Sequence, residues 1–122
     1  MRDQQNKRKK GKEGEELASN FLKSMGYEII EMNYQFGHGE IDIIAKDKNE
    51  IVFVEVKTRK SLQFGSPEYA FTKAKINQVK KIAQAYLIEN NLVNNSARID
   101  AIAILIVKDC EPIINHYKNI TG

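Results

Sequence analysis

Residues 39–59 read GEIDIIAKDKNEIVFVEVKTR, in which two runs rich in isoleucine and valine flank a polar turn at residues 47–49. β-Branched and aromatic residues favour strands, and a short polar segment between two such runs is typical of a hairpin. The apolar residues of the second run do not alternate with polar ones, which predicts a strand buried on both faces. We therefore expect an antiparallel pair at the centre of the fold, with strands over residues 40–46 and 51–58.

The flanking sequence predicts two helices and three further strands. Apolar residues recur at helical spacing in residues 13–25. A second helix is predicted from Ser66, as N-cap, and Pro67, in the first turn, to about Asn90. The remaining strands are predicted over residues 27–34, 97–107 and 112–118. The order α-β-β-β-α-β-β, with a helix between two strands of one sheet, predicts an α/β sandwich with a mixed sheet.

The chain of 122 residues suits one compact domain, which we assign to residues 13–122, behind a flexible basic arm at residues 1–12. The arm has six basic residues and one acidic residue, a net +5, and residues 57–81 have seven and one, a net +6, although the whole chain carries only +3. This asymmetry indicates either a polyanionic partner or lysines that solubilise a tail and a helix face.

Cellular location is indicated by what the sequence lacks. Cys110 is the only cysteine, so no intramolecular disulfide can form, and a reducing compartment is expected. No apolar run is long enough to cross a bilayer, and no apolar segment follows the basic N-terminus as it would in a secretory signal. We expect a cytoplasmic protein with no membrane partner.

Two predicted central strands each carry a carboxylate among apolar residues, Asp42 and Glu55. In the hairpin these groups would lie side by side, and at about 4 Å they would repel by about 4 kcal/mol at a surface-like dielectric constant. A divalent cation would relieve this repulsion, and oxygen ligands favour Mg²⁺ or Mn²⁺. Lys57 shares the face of Glu55, where it would orient a water or stabilise charge on a phosphate. The alternative is a partly buried salt-bridge cluster.

A third carboxylate is predicted on the first helix. Glu15 lies at the edge of the apolar stripe, near Ala18, whereas Glu13 and Glu16 are turned away. Glu15 is therefore the helical carboxylate best placed to reach the sheet.

These residues resemble the PD-(D/E)xK nuclease superfamily, and more closely the YraN-like family of small bacterial proteins that are predicted endonucleases. The similarity covers residues 11–107 and rests on the following matches: Gly14-Glu15-Glu16-Leu17-Ala18, Gly26-Tyr27, Asn33, Gly39-Glu40-Ile41-Asp42-Ile43-Ile44, Val52-Phe53-Val54-Glu55-Val56-Lys57-Thr58-Arg59, Phe64-Gly65, Lys75 and Arg98-Ile99-Asp100. Ile41 stands where the superfamily name has a proline, a position at which other members also vary.

The resemblance implies a restriction-endonuclease-like fold and a role for each matched residue. Asp42 and Glu55 would be metal ligands together with the Val56 carbonyl, and Glu15 would bind the metal directly or through water. Lys57 would act on the attacking water. Glu40, on the strand face of Asp42, would support the site or be a solvated strand end.

Further residues have both a functional and a structural interpretation. Arg59 and Lys60 would contact DNA phosphates, or be a solvated strand end; Lys75 would contact the nucleic-acid backbone or the site, or be an exposed helical lysine. Asp100, with Arg98, would brace the site or simply form an ion pair. Other candidates are the aromatic residues Phe64 and Tyr69, which would stack on an unpaired base or pack in the fold; His116 has no evident partner.

We expect an Mg²⁺- or Mn²⁺-dependent endonuclease that hydrolyses DNA, at branched structures such as Holliday junctions among others. The alternative is a non-catalytic DNA-binding or scaffold protein that keeps the nuclease fold. RNA is compatible with the same residues, and a homodimer would suit a junction substrate, although the sequence reveals no interface.

Overall fold

A computed structural model of the chain describes residues 2–61 and 65–121, with side chains described from residue 11 onward. Phe64 lies outside the described residues. The elements follow the predicted order, with an added 3-10 helix. They are α1 (Arg2–Ser24), β1 (Glu28–Phe36), β2 (Gly39–Asp47), β3 (Glu50–Arg59), the 3-10 helix (Pro67–Ala70), α2 (Lys73–Glu89), β4 (Ala97–Leu105) and β5 (Ile113–Tyr117).

The five strands form one sheet in the order β1-β2-β3-β4-β5. Neighbouring strands are antiparallel except β3 and β4, which are parallel. A parallel pair needs a crossover connection, and α2 provides it. The prediction of a mixed sheet is confirmed.

Each face of the sheet is covered by one helix. The core between α1 and the sheet contains Ala18, Leu22, Tyr27, Ile43, Ala45, Val52, Val54, Ile102 and Ile104. The core between α2 and the sheet contains Tyr34, Ile41, Ile44, Ile51, Phe53, Val79, Ile82, Ala83, Tyr86 and Ile99. Strand β3 contributes to both cores, as its unbroken apolar run predicts. The α/β sandwich is therefore confirmed.

Two glycines allow the helices to approach the sheet closely. A Cβ atom at Gly14 of α1 would collide with the side chain of Thr58 in β3, and one at Gly39 of β2 would collide with Ile82 of α2. Since Gly14 precedes Glu15, the close approach of α1 to β3 also brings that carboxylate towards the sheet.

The prediction of one helix from Ser66 to about Asn90 is wrong at its start. Ser66 makes no side-chain capping bond, and the 3-10 helix after it ends at Ala70, because the backbone of Phe71 leaves helical geometry. Helix α2 begins afresh after Thr72, whose side chain accepts a hydrogen bond from the Lys75 N–H at 3.2 Å. Tertiary contacts of the 3-10 helix with the sheet outweigh the local preference for one continuous helix.

Helix α1 also differs from its predicted bounds. It begins at Arg2, so the backbone of residues 2–12 is helical rather than irregular. The flexibility of this basic segment stays a prediction.

Candidate active site

The site begins where the hydrogen-bonded pairing of β2 and β3 ends. The last paired residues there are Ile43 and Val54. Beyond them the Asp42 Oδ2 atom accepts a hydrogen bond from the backbone N–H of Val56 at 2.8 Å. A side-chain oxygen thus replaces the backbone acceptor of the ladder, and Asp42 lies beside the strand segment that carries Glu55.

An irregularity in β2 turns Asp42 towards β3. Ile41 packs in the core on the α2 face, but Ile43 packs in the core on the α1 face, so the usual alternation of faces is interrupted at Asp42. In β1, opposite this point, Asn33 has a φ of 56°, a left-handed conformation that asparagine tolerates better than most residues. The paired irregularities leave Asp42 free to bond in the plane of the sheet.

Glu55 is the most deeply buried carboxylate of the site. It is only 4% exposed. Its Oε2 atom lies 3.6 Å from the Lys75 Nζ atom, whereas its Oε1 atom is buried with no hydrogen-bond partner among the described residues. Burial, followed by the charge of Asp42, raises the pKa of Glu55 to about 8, although Lys75 opposes the shift. A buried oxygen without a partner is a position where a ligand or proton is expected.

Asp42 and Glu15 share the same electrostatic surroundings. Burial raises the pKa of Asp42 while the Val56 N–H opposes it, and the charge of Glu40 adds to the increase. Glu15 is half-buried, and burial together with the charges of Asp42 and Glu40 raises its pKa to about 7. Three elements, α1, β2 and β3, therefore place Glu15, Asp42 and Glu55 where burial and the charge of a neighbouring carboxylate disfavour their ionisation.

Asn33 is a site residue whose role sequence reasoning missed. Its side chain forms a hydrogen bond with the Glu15 carboxylate that lowers the pKa of Glu15 and partly offsets the effect of burial. The only signal in the sequence was a polar residue within a strand, at a position that matched the family pattern. Asn33 therefore holds the helical carboxylate against the edge of β1.

Two lysines supply positive charge to the group. Val56 packs towards α1. Because successive residues of a strand point to opposite faces of the sheet, Lys57 and Glu55 both point to the other face. The charges of Lys75 and Lys57 both favour the ionised form of Asp42, against the larger effect of burial. The sequence left open whether Lys75 contacts nucleic acid, supports the site or is simply exposed, and the structure brings it to Glu55 in the site.

The donors suit a hard divalent cation in their chemistry. They are carboxylates with raised pKa values, and one of their oxygens is buried without a partner. Across the described side chains, however, no three histidine, cysteine, aspartate or glutamate groups are gathered closely enough to hold a metal ion as they stand. Metal binding therefore stays a prediction.

Comparison with known proteins covers the whole of this site. The model of the uncharacterised protein family UPF0102 matches residues 14–104. The chain belongs to this family. The expected membership of the YraN-like family is thereby confirmed, and the matched range includes every residue of the acidic group.

The UPF0102 relatives are similar over most of their length. A UPF0102 protein of Caldicellulosiruptor saccharolyticus is 46% identical over 115 residues, which are 93% of this chain and 98% of the relative. One of Trichlorobacter lovleyi is 45% identical over 107 residues, 87% of this chain and 84% of the relative. A UPF0102 protein of Clostridioides difficile is 43% identical over 114 residues, 93% and 97% of the two chains. These names state a family and no activity.

The sequence left open whether Asp100 braces the site or simply pairs with Arg98, and the structure shows the ion pair, apart from the acidic group. It pairs with Val54 in the register of β3 and β4, and Val54 faces α1, whereas Glu55 faces α2. Asp100 is completely buried and accepts hydrogen bonds from Arg98 at 3.0 Å and from the Asn119 N–H at 2.9 Å. It also lies 2.8 Å from His116 Nε2. In this UPF0102 structure Asp100 is the centre of a separate polar cluster.

His116 has a structural role that the sequence did not reveal. Besides Asp100, its ring makes edge contacts with Phe21 and Tyr27, at 5.9 Å between centroids in each case. Burial alone would raise the pKa of Asp100, but its contacts with His116 and Arg98 hold that pKa below its ordinary value. The cluster therefore ties β5 to α1 and to β4.

Two of the predicted nucleic-acid contacts, Arg59 and Lys60, lie at the end of β3. Lys60 is exposed and forms an ion pair with Glu13 at 3.3 Å. The Nε atom of Arg59 is buried and has no hydrogen-bond partner among the described residues.

Among the described helices, none combines the length and the apolar content needed to span a membrane.

Proposed function

We propose that this UPF0102 chain is an Mg²⁺- or Mn²⁺-dependent endonuclease that hydrolyses DNA phosphodiester bonds. The observation that carries the proposal is the bond from the Val56 N–H to Asp42, which sets Asp42 beside Glu55 and its unpartnered Oε1 atom. Two carboxylates forced together in this way have a large unfavourable interaction that a cation would remove.

The metal would be held by Glu15, Asp42 and Glu55, with the carbonyl of Val56. When bound, it would polarise a phosphoryl oxygen and lower the pKa of an attacking water. Metal binding must displace the protons that the raised pKa values of Glu15 and Glu55 favour, so metal affinity should rise with pH.

The protein's own cations take complementary parts. Lys57 lies on the face of Glu55, where its ammonium group would stabilise negative charge on the phosphate as that charge grows in the transition state. Lys75 fixes one oxygen of Glu55 and leaves the other available. Asn33 orients Glu15 by a hydrogen bond.

Nucleic acid is the substrate that the charge distribution favours. The segment from residue 57 to residue 81 carries a net +6, and it begins within the site at Lys57. Arg59 and Lys60 extend it along the end of β3, where contacts to phosphates would position the strand. We propose cytoplasmic DNA as the substrate, and RNA is the alternative substrate to be tested. A homodimer would present two active sites to a branched molecule.

A non-catalytic DNA-binding protein is the second candidate. It is favoured by the ion pair between Lys75 and Glu55, which already neutralises the deepest carboxylate, and by the absence of a gathered three-ligand group among the described side chains. This candidate predicts binding of DNA without turnover and without any need for metal.

Cleavage of a labelled panel separates the two. Single strand, duplex, flap, fork and four-way junction, in DNA and RNA, would be incubated with Mg²⁺, Mn²⁺ or EDTA. Glu15→Gln is matched by Glu16→Gln, since Glu16 is the exposed neighbour on the same helix. The proposal expects metal-dependent cutting by wild type and Glu16→Gln, and its loss in Asp42→Asn and Glu15→Gln. Equal cutting by all four proteins, or binding without cutting, would contradict it.

A further inference from the structure

Tyr69 has an aromatic ring that the acidic site does not account for. At 77% exposure it is the most exposed large hydrophobic side chain among the described residues. The sequence left open whether Tyr69 packs in the fold or stacks on a base. Such exposure contradicts packing in the core, and it leaves a large apolar surface in water.

The position of the Tyr69 ring is set by a glycine. A Cβ atom at Gly65 would lie 2.7 Å from the Tyr69 Cδ2 atom, so the ring packs directly against the backbone of Gly65. Gly65 has a φ of +91°, which other residues adopt only with strain. The ring thus has a backbone support on one side while most of its surface faces solvent.

The 3-10 helix that carries Tyr69 is fixed to the sheet. Pro67 is buried. The Oε2 atom of Glu68 accepts hydrogen bonds from the Tyr117 hydroxyl at 2.6 Å and from the Asn115 side-chain amide at 3.3 Å. Because both neighbours of Tyr69 on its N-terminal side are held, the ring projects from an anchored segment.

This anchor lies at the level of the acidic site and on the same face. Glu55 pairs with Ala101 in β4, and Ala101 pairs with Tyr117 in β5. Paired residues share a face of the sheet, so the Tyr117 side chain that holds Glu68 points the same way as the Glu55 carboxylate. Two strand spacings, about 10 Å, separate β3 from β5.

We propose that Tyr69 is a stacking platform for an unpaired base of the strand that is cleaved, and that the substrate has a single-stranded segment beside the scissile bond. The inference rests on the proposed nuclease function. A strand whose phosphate lies at Glu55 and Lys57 would reach the Tyr69 ring within a few nucleotides. Aromatic side chains bind single strands by stacking because every base has an open face there, whereas bases within a duplex are already stacked.

Binding measured without metal tests this inference independently of cleavage. In EDTA, the affinity of fork, flap and blunt duplex DNA would be compared for wild type, Tyr69→Ala, Tyr69→Phe and Ile88→Ala. Ile88 is a control because it is 66% exposed on α2. We expect Tyr69→Ala to bind fork and flap on the order of tenfold more weakly, with duplex unchanged. Tyr69→Phe and Ile88→Ala should bind as wild type.

A fluorescent base analogue, moved along the single-stranded arm, gives a second readout. Its emission should change on binding of wild type at one or two positions near the junction, and this change should be lost in Tyr69→Ala. An equal affinity of Tyr69→Ala and wild type for the fork, or an equal loss for fork and duplex, would overturn the platform. Failure of wild type to cut while this pattern holds would overturn the nuclease proposal and leave Tyr69 as a stacking platform for a strand that is bound and not cleaved. Failure of wild type to bind any DNA would overturn both proposals.

Discussion

Replacing Glu55 by glutamine tests the electrostatics of the site without a substrate. Burial and the charge of Asp42 raise the pKa of Glu55 from an ordinary 4.5 to about 8. A carboxyl group whose pKa is higher in the folded state favours folding below the ordinary pKa, and this contribution is lost as pH rises to the folded value. Metal-free wild type should therefore lose stability between about pH 4.5 and about pH 8.

The magnitude follows from the same values. A pKa raised from 4.5 to about 8 corresponds to about 5 kcal/mol of preference for the neutral carboxyl group, which is an upper limit to the loss. Glutamine avoids this loss because it stays neutral. Its amide N–H₂ must find a partner where the Oε1 atom has none, at a cost of about 1–3 kcal/mol. We expect Glu55→Gln to be more stable than wild type by about 2 kcal/mol at about pH 9.

Unfolding by urea in EDTA at about pH 5 and about pH 9 measures this difference. The advantage of Glu55→Gln should disappear at the lower pH, where Glu55 of wild type is protonated. In thermal unfolding at the higher pH, the substitution should raise Tm by about 8 °C. Glu111→Gln, at an exposed position, is the matched control and should change neither value. A variant that is less stable than wild type by the same margin at both pH values would refute the reasoning.

Three further substitutions test separate parts of the structure. Lys57→Ala should lose cleavage but keep Mn²⁺ binding in calorimetry; wild-type cleavage would remove Lys57 from the mechanism. Gly14→Ala should cost about 1–3 kcal/mol in urea unfolding because α1 must move away from β3, whereas Gly11→Ala has room for its Cβ atom and should be tolerated; equal effects would contradict this packing. Asp100→Ala should cost about 1–3 kcal/mol because it leaves the Asn119 N–H without its acceptor and removes one of the three carboxylates that pair with Arg98, and a loss below about 0.5 kcal/mol would show the cluster to be dispensable.

The parts of the fold and site that depend on residues close in sequence were predictable. Strand β3 reads as buried on both faces, and the polar turn before it fixes the hairpin that sets Asp42 beside Glu55. The helical position of Glu15 followed from the spacing of apolar residues in α1. Each of these conclusions uses residues close in sequence, for which periodicity is a sufficient guide.

The parts that depend on distant contacts were not predictable in the same way. The contact of Lys75 with Glu55 requires knowing how α2 crosses the sheet, and the contact of His116 with Asp100 requires the register of β5. Asn33 matched the family pattern, but its left-handed backbone has no local signature. Ser66 failed as a helix cap because contacts of the 3-10 helix with β5 decide the conformation there.

The short connection between β2 and β3 has a consequence for the kinetics of folding. Asp42 and Glu55 belong to a local hairpin, and such hairpins form within about 1–10 μs, far sooner than a parallel strand reached through a crossover helix. We therefore expect the two carboxylates to come together before α2 delivers Lys75 to Glu55. Repulsion between them arises early on the pathway, so alkaline conditions should slow the refolding of wild type, and Glu55→Gln should remove that pH dependence from the refolding rate.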